Sequence, residues 1–254
     1  MKRLLLIFFF ILTSLSPYKT NNVSNKKFTE LLQQANNFEK QGDLNNAIKI
    51  YNKAVKLSSG NNSYYDANFI YKKIGLIYYK LKQYQSSKTH FKKVITKDSD
   101  SKNAADSYFN LVLIYRKEKE KDSLFWALNN SLMIYKKLED SADKFSTYSK
   151  AGILFKQAGN YDSAITYLLL AYNGFEKYNN EPKKASICYT IGETQRLLGN
   201  LEIARKYLIE SLNIRKQFSD TLKTSYAYNN LANLYKSEKN YDSAIANYKQ
   251  GIEI

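Results

Sequence analysis

The apolar residues of this chain fall in short bursts of helical spacing. Tyr148, Ala151, Gly152 and Phe155 lie three, one and three residues apart, and so do Tyr228, Leu231, Ala232 and Tyr235, and Tyr71, Ile74, Gly75 and Tyr78. That spacing places each set of four on one face of an α-helix. A second burst follows each of these. Tyr161, Ala164, Ile165, Leu168, Ala171 and Tyr172 again line one helical face. The pattern predicts helices in pairs and gives no alternation of the kind a strand needs.

The pairs recur. Tyr161-Asp162-Ser163-Ala164-Ile165 returns as Tyr241-Asp242-Ser243-Ala244-Ile245, and related segments occur at Gly42–Ala47, Tyr84–Ser87, Lys121–Leu124 and Gly199–Ala204. The fourth residue of each motif gives register marks at 47, 87, 124, 164, 204 and 244, spaced 40, 37, 40, 40 and 40 apart. Such regularity marks a repeat architecture. Twelve residues before the mark the position is small in every repeat but one, with Ala35, Gly75, Gly152, Gly192 and Ala232 against Val112. A small side chain there lets paired helices approach closely. Gly42, Gly159 and Gly199 fall at the turn within a pair, where a left-handed cap ends the first helix. Pro182 falls between repeats, where it opens a helix.

Composition narrows the chemistry. The 254 residues carry 39 Lys and Arg against 23 Asp and Glu, a net charge of +16, with one His and one Cys. Those counts exclude a disulfide framework within the chain and a His/Cys zinc site. Two prolines and nine glycines suit helices joined by short turns. At the start, Lys2 and Arg3 precede the apolar run Leu4–Leu12, followed by Thr13-Ser14-Leu15-Ser16. This order predicts an export signal over residues 1–20, too short in its apolar part to span a bilayer. A short linker is expected at 21–27 and the repeat array at 28–254. The expected location is the periplasm or cell envelope. The alternative is a membrane tether formed by an uncleaved N-terminal segment, since Pro17 is a poor first mature residue.

From Phe28 to Ile254 the paired helices resemble tetratricopeptide repeats, in which an aromatic, Leu-Gly, Tyr, Ala, an aromatic and Ala stand at set offsets. The likeness is strongest in repeats four to six. It is weakest in repeat three, where the turn has no glycine, Leu124 occupies the mark and Arg116–Lys121 is a charge run. The longer period of about 40 is similar to that of repeats in bacterial sensor kinases and transcriptional regulators. The resemblance implies an all-α solenoid, a right-handed superhelix of about six helix pairs. It also implies a concave groove, lined by the first helices, that takes a protein or peptide ligand. It implies a scaffold without catalysis and without a cofactor or metal.

By the same resemblance, the residues 18, 15, 11 and 8 before each mark face the groove. The last of these runs Glu39, Tyr79, Arg116, Lys156, Arg196 and Lys236. The consecutive cations Arg116, Lys156, Arg196 and Lys236 suit an acidic or C-terminal carboxylate ligand. Asn229, Asn233 and Lys236 resemble the Asn-and-Lys clamp that some family members close on a peptide carboxylate. His90 precedes the core residue Phe91 and is expected to face solvent. Cys188 is expected in the core, and Trp126 as an exposed contact or packed under the shorter linker. No phosphate-binding Gly loop, catalytic carboxylate pair or Ser/His/Asp set stands out. Nucleic acid is the disfavoured partner, because Lys is spread over every repeat.

The sixth repeat ends at Ile254 within its second helix, with Gly251 and Ile252 at core positions. A truncated array is therefore expected, with a membrane span and a cytoplasmic output domain beyond it. The leading functional expectation is the exported sensory or interaction region of a bacterial signalling protein. A stand-alone envelope adaptor or assembly factor is the alternative.

Overall fold

A computed structural model of the chain describes residues 16–58, 67–218 and 221–254. The elements among them are α-helices: α1 (Ser16–Lys40), α2 (Leu44–Leu57), α3 (Ala67–Lys80), α4 (Tyr84–Lys97), α5 (Lys102–Glu118), α6 (Lys121–Lys137), α7 (Ala142–Gln157), α8 (Tyr161–Lys177), α9 (Glu181–Leu197), α10 (Leu201–Gln217), α11 (Thr221–Ser237) and α12 (Tyr241–Glu253). Every second helix of a pair begins three residues before its register mark. The all-α, solenoid-type arrangement of helix hairpins follows the sequence pattern. The expected export signal lies outside the described residues as far as residue 15. The expected linker at 21–27 is helical, within α1.

The chain divides into an N-terminal unit, residues 1–134, and a C-terminal unit, residues 135–254. In the N-terminal unit α1 packs on α2, α2 on α3, α3 on both α4 and α5, and α4 on α5. In the C-terminal unit successive helices pack in order from α7 to α12, and the first helices α7, α9 and α11 also touch in sequence.

Each hairpin closes on its register mark. Ala47, Ala164 and Ala204 are fully buried, and Ser87, Leu124 and Ala244 are buried as well. A Cβ added to Gly152 would stand 2.5 Å from Leu168 Cγ and 3.1 Å from the Ala164 carbonyl, so this position must be small. A second contact ties the far ends of three hairpins. Ser131 Oγ donates to the Ala105 carbonyl at 2.9 Å, Ser211 Oγ to that of Ala185 at 2.8 Å, and Ser225 Oγ to that of Gly251. Serine at these sites satisfies a buried carbonyl without adding bulk.

The turns within pairs are one motif made with two residue types. In all six the backbone N–H after the left-handed residue donates to a carbonyl five residues back at 2.9 Å, from Asp43 to Phe38 through Asn240 to Tyr235. Gly42, Gly159 and Gly199 hold the left-handed position with φ of 80°, 79° and 82°. The other three turns place a lysine there, Lys82, Lys119 and Lys239, with φ of 60°, 62° and 60°. The missing glycines therefore do not signal missing turns, even in repeat three. Asp43, Asn160 and Asn240 then cap the following helix, each accepting an N–H three residues on at 3.1 Å. Between repeats, Asn180 caps α9 and Pro182 sits in its first turn.

The two outer helices differ in character. At 17, 13 and 10 residues before the mark, α3 carries Ile70, Ile74 and Ile77, all fully buried. α1 carries Glu30, Gln34 and Asn37 there, all exposed. On α12, Ile245 and Ile252 are 52% and 82% exposed. Their counterparts Ile165 and Tyr172 on α8 are partly buried. Gly251 is buried as expected, whereas Ile252 faces solvent.

Candidate functional site

In the C-terminal unit the stripe that includes the predicted cations centres on Tyr189, fifteen residues before its mark on α9. Lys156 on α7 lies 6.0 Å from the Tyr189 ring centroid, and the Arg215 guanidinium at the end of α10 lies 5.8 Å from it. Arg215 is held in place by a bond from Nε to Ser211 Oγ at 3.1 Å and one from Nη1 to the Lys223 carbonyl at 3.1 Å. Tyr189 and Arg215 then join Tyr226, Asn229 and Asn230 of α11 around a pocket of about 230 Å³. Two aromatic faces, a guanidinium and two amides suit an extended peptide.

The predicted cations differ in their local surroundings. Arg196 is bound by Glu193 one turn earlier, with Nη2 3.1 Å from Oε2 and Nε 3.2 Å from Oε1. The hydrogen bonds that Arg196 donates to Glu193 raise the Arg196 pKa above its usual value. Lys156 is half-buried. Burial pushes its ammonium pKa down; Arg196 pushes the same way and Glu193 opposes both. Lys236 is exposed at the end of α11. Arg116 is exposed at the end of α5, in the N-terminal unit.

The predicted asparagines also part company. Asn229 lines the pocket, but Asn233 accepts a hydrogen bond from the Tyr248 hydroxyl at 2.7 Å, within its own hairpin. The same bond occurs in repeat one, from the Tyr51 hydroxyl to Asn36 at 2.7 Å. Tyr226, Asn230 and Arg215 were not singled out from the sequence. Tyr226 and Tyr189 stand on the stripe already defined, so its aromatic members were a usable signal. Arg215 comes from a second helix, and nothing local announces its reach.

In the N-terminal unit the corresponding stripe forms a different cavity. Asn36, Glu39 and Lys40 of α1 and Lys73 and Lys80 of α3 line a groove of about 410 Å³. Lys80 Nζ lies 3.1 Å from Glu39 Oε1, and Lys73 Nζ 3.4 Å from Oε2. Farther along α3, Lys72 Nζ reaches Asp106 Oδ2 at 2.8 Å and Asn103 Oδ1 at 2.7 Å on α5.

His90 corrects an expectation. It is half-buried, with Nδ1 2.8 Å from the Ser86 carbonyl and its ring centroid 5.2 Å from that of Tyr78 and 6.3 Å from that of Tyr71. It packs in its hairpin as Tyr167 does at the equivalent place on α8, 5.8 Å from Tyr148. Cys188 is fully buried, and burial pushes its thiol pKa up. Trp126 is 51% exposed, set edge-on to Tyr108 at 5.5 Å. Among the described residues no group of three His, Cys, Asp or Glu is placed to hold a metal ion. No described helix is long and apolar enough to cross a membrane.

Models of the tetratricopeptide repeat match residues 31–61, 73–101 and 185–254. No curated protein matches the chain in sequence. Among solved structures, the fold is similar to that of a STAND signal-transduction ATPase with a tetratricopeptide repeat sensor from Pyrococcus horikoshii. That likeness has a TM-score of 0.67 and 20% identity, over 88% of this chain and 35% of that one. It is similar to BtubC from P. vanneervenii, with a TM-score of 0.63 and 14% identity over 91% of this chain and 90% of that one. It is also similar to Pseudomonas aeruginosa pilF, with a TM-score of 0.62 and 12% identity over 89% and 91%.

Proposed function

Because the chain belongs to the tetratricopeptide repeat family, we propose that it is a non-catalytic scaffold that holds a protein or peptide ligand along its first helices. The observation that carries this reading is the pocket around Tyr189, open beside α11 and lined by the side-chain types that bind extended chains. The finer reading is the exported sensory or interaction region of a bacterial signalling protein. It is supported by the Lys2-Arg3 and Leu4–Leu12 leader pattern, and, for the sensory part, by likeness to a signal-transduction ATPase described as having a tetratricopeptide repeat sensor.

Two measurements test these readings. Peptides selected from a displayed library on the full chain should lose about tenfold or more in affinity when Tyr189 and Asn229 are both changed to Ala. Unaltered affinity of every selected peptide would remove the pocket from the scaffold reading. The intact mass of the native protein in membrane and soluble envelope fractions tests the second. A membrane-fraction mass well above 29.5 kDa supports the receptor region. A mass near or a little below that in the soluble fraction supports the stand-alone adaptor instead. Recovery in the cytosol alone overturns export.

A further inference from the structure

The groove of the N-terminal unit is lined by three lysines, Lys40, Lys73 and Lys80, and one carboxylate, Glu39, on which Lys73 and Lys80 converge. Glu39 stands eight residues before its mark, where the later repeats carry Tyr79, Arg116, Lys156, Arg196 and Lys236, so it is the one acid in that row. Its side chain is only 17% exposed, and both oxygens are engaged. Oε1 meets Lys80, while Oε2 meets Lys73 and lies 3.3 Å from the Tyr51 hydroxyl. Tyr51 is itself buried and bonded to Asn36, so this wall of the groove is fixed. Two lysines from α3 thus converge on a point that an acidic group from α1 already fills. A net positive charge remains beside it. Lys73 occupies the same repeat position as Asn230 in the pocket of the C-terminal unit, fourteen residues before the mark. The chain therefore presents a neutral amide at one such position and a cation at the other.

We propose that this groove recognises an acidic side chain of a bound protein, and that Glu39 is an internal stand-in which competes with the ligand carboxylate for Lys73 and Lys80. The inference rests on the scaffold reading and adds a partner chemistry to a second place on the molecule. A ligand carboxylate entering the groove meets lysines already held at the right spacing. Glu39 sets the threshold: a single weak acid does not displace it, and a run of acidic residues does. Binding is salt-dependent, because the cations are partly exposed.

The test uses fluorescein-labelled hexaglutamate and the full chain, read by anisotropy at low and moderate salt. Lys73→Met with Lys80→Met should weaken binding by about tenfold or more, the equivalent of about 1.4 kcal/mol. Glu39→Gln keeps an acceptor for Tyr51 and should tighten binding several-fold. Glu118→Gln is the charge-matched control, since Glu118 pairs with Lys88 between α4 and α5 at 2.9 Å. It should change nothing. Circular dichroism establishes that each variant is folded, and the isosteric Glu39→Gln decides the matter if the lysine double variant is not. An equal gain in Glu118→Gln and Glu39→Gln would reduce the effect to bulk charge and overturn the proposal. So would weaker or unchanged binding in Glu39→Gln, or no hexaglutamate binding by the wild-type chain. If binding depends instead on Asn229 and Tyr226, the acid site lies in the other unit. The proposal then falls while the scaffold reading stands.

Discussion

The Tyr172 hydroxyl on α8 donates to Glu210 Oε1 on α10 at 2.8 Å, and Lys184 on α9 lies beneath both. Lys184 Nζ stands 3.2 Å from Glu210 and 3.0 Å from Glu176, 5.1 Å from the Tyr172 ring centroid, and is only 12% exposed. Burial alone would lower the Lys184 pKa, but its bonds to Glu176 and Glu210 overrule this and raise it. Tyr207 packs edge-on to Tyr172 at 5.9 Å and closes the group. Glu210→Ala should therefore cost about 2 kcal/mol, because it takes the acceptor from the Tyr172 hydroxyl and leaves the largely buried Lys184 ammonium with Glu176 as its one remaining carboxylate in this group. Urea melts of the full chain measure the loss. Tyr172→Phe, which removes only one bond, should cost about 1 kcal/mol.

The lysines in left-handed turns are a reserve of stability. Replacing Lys82, Lys119 or Lys239 with Gly relieves a backbone conformation that disfavours a Cβ, at the cost of more freedom in the unfolded chain. The net expectation is a gain of about 0.5–1 kcal/mol per site. Gly159→Ala, at φ of 79°, should lose about 1 kcal/mol. Thermal melts with the six turns varied singly would rank them.

Gly152 is constrained by packing instead. Gly152→Ala puts a methyl group against Leu168 and the Ala164 carbonyl, and should destabilise by about 1–3 kcal/mol. Ala232→Gly, in the sixth repeat, should cost about 1–2 kcal/mol through helix propensity and the loss of a buried methyl group.

His90 gives the hairpin of α3 and α4 a pH dependence of defined sign. Burial lowers its pKa below 6.5, and Lys93 adds to the effect against the bond to Ser86. The unfolded chain therefore binds the proton more readily than the folded one. Stability is full above the unfolded pKa and declines as the pH falls below it, levelling off once the folded imidazole is protonated. His90→Tyr should flatten the melting temperature between about pH 7 and 5, the range in which an imidazole changes charge. A persisting slope would place its origin elsewhere.

The hairpin register was open to the sequence because two constraints coincide at the marks: a small residue on one helix and a large apolar one on its partner. Ala164 with Gly152 and Leu168 is such a set. The turns were half legible, since a glycine announces a left-handed cap while Lys119 conceals one. His90 was misread because its neighbour Phe91 points into the core. Yet on a wide apolar face the adjacent residue also packs, here against Tyr71 and Tyr78. The proposed binding stripe was legible as a line of positions but not as a charge pattern. Glu193 and Arg196 lie three apart on that line and neutralise each other. The recruitment of Arg215 to Tyr189 depends on how α10 ends beside α11, which local spacing does not encode.

The exposed edge of α1 is polar where that of α12 is apolar. Glu30, Gln34 and Asn37 stand where α3 carries Ile70, Ile74 and Ile77, while Ile245 and Ile252 on α12 are exposed. Glu30→Ile, Gln34→Ile and Asn37→Ile together would make the edges complementary. A contact of that kind joins head to tail and does not close on itself. Sedimentation of the triple variant should then show open-ended polymers in place of a discrete species. Three hydrophilic side chains on a single helix thus keep that face of α1 unlike the isoleucine face of α3.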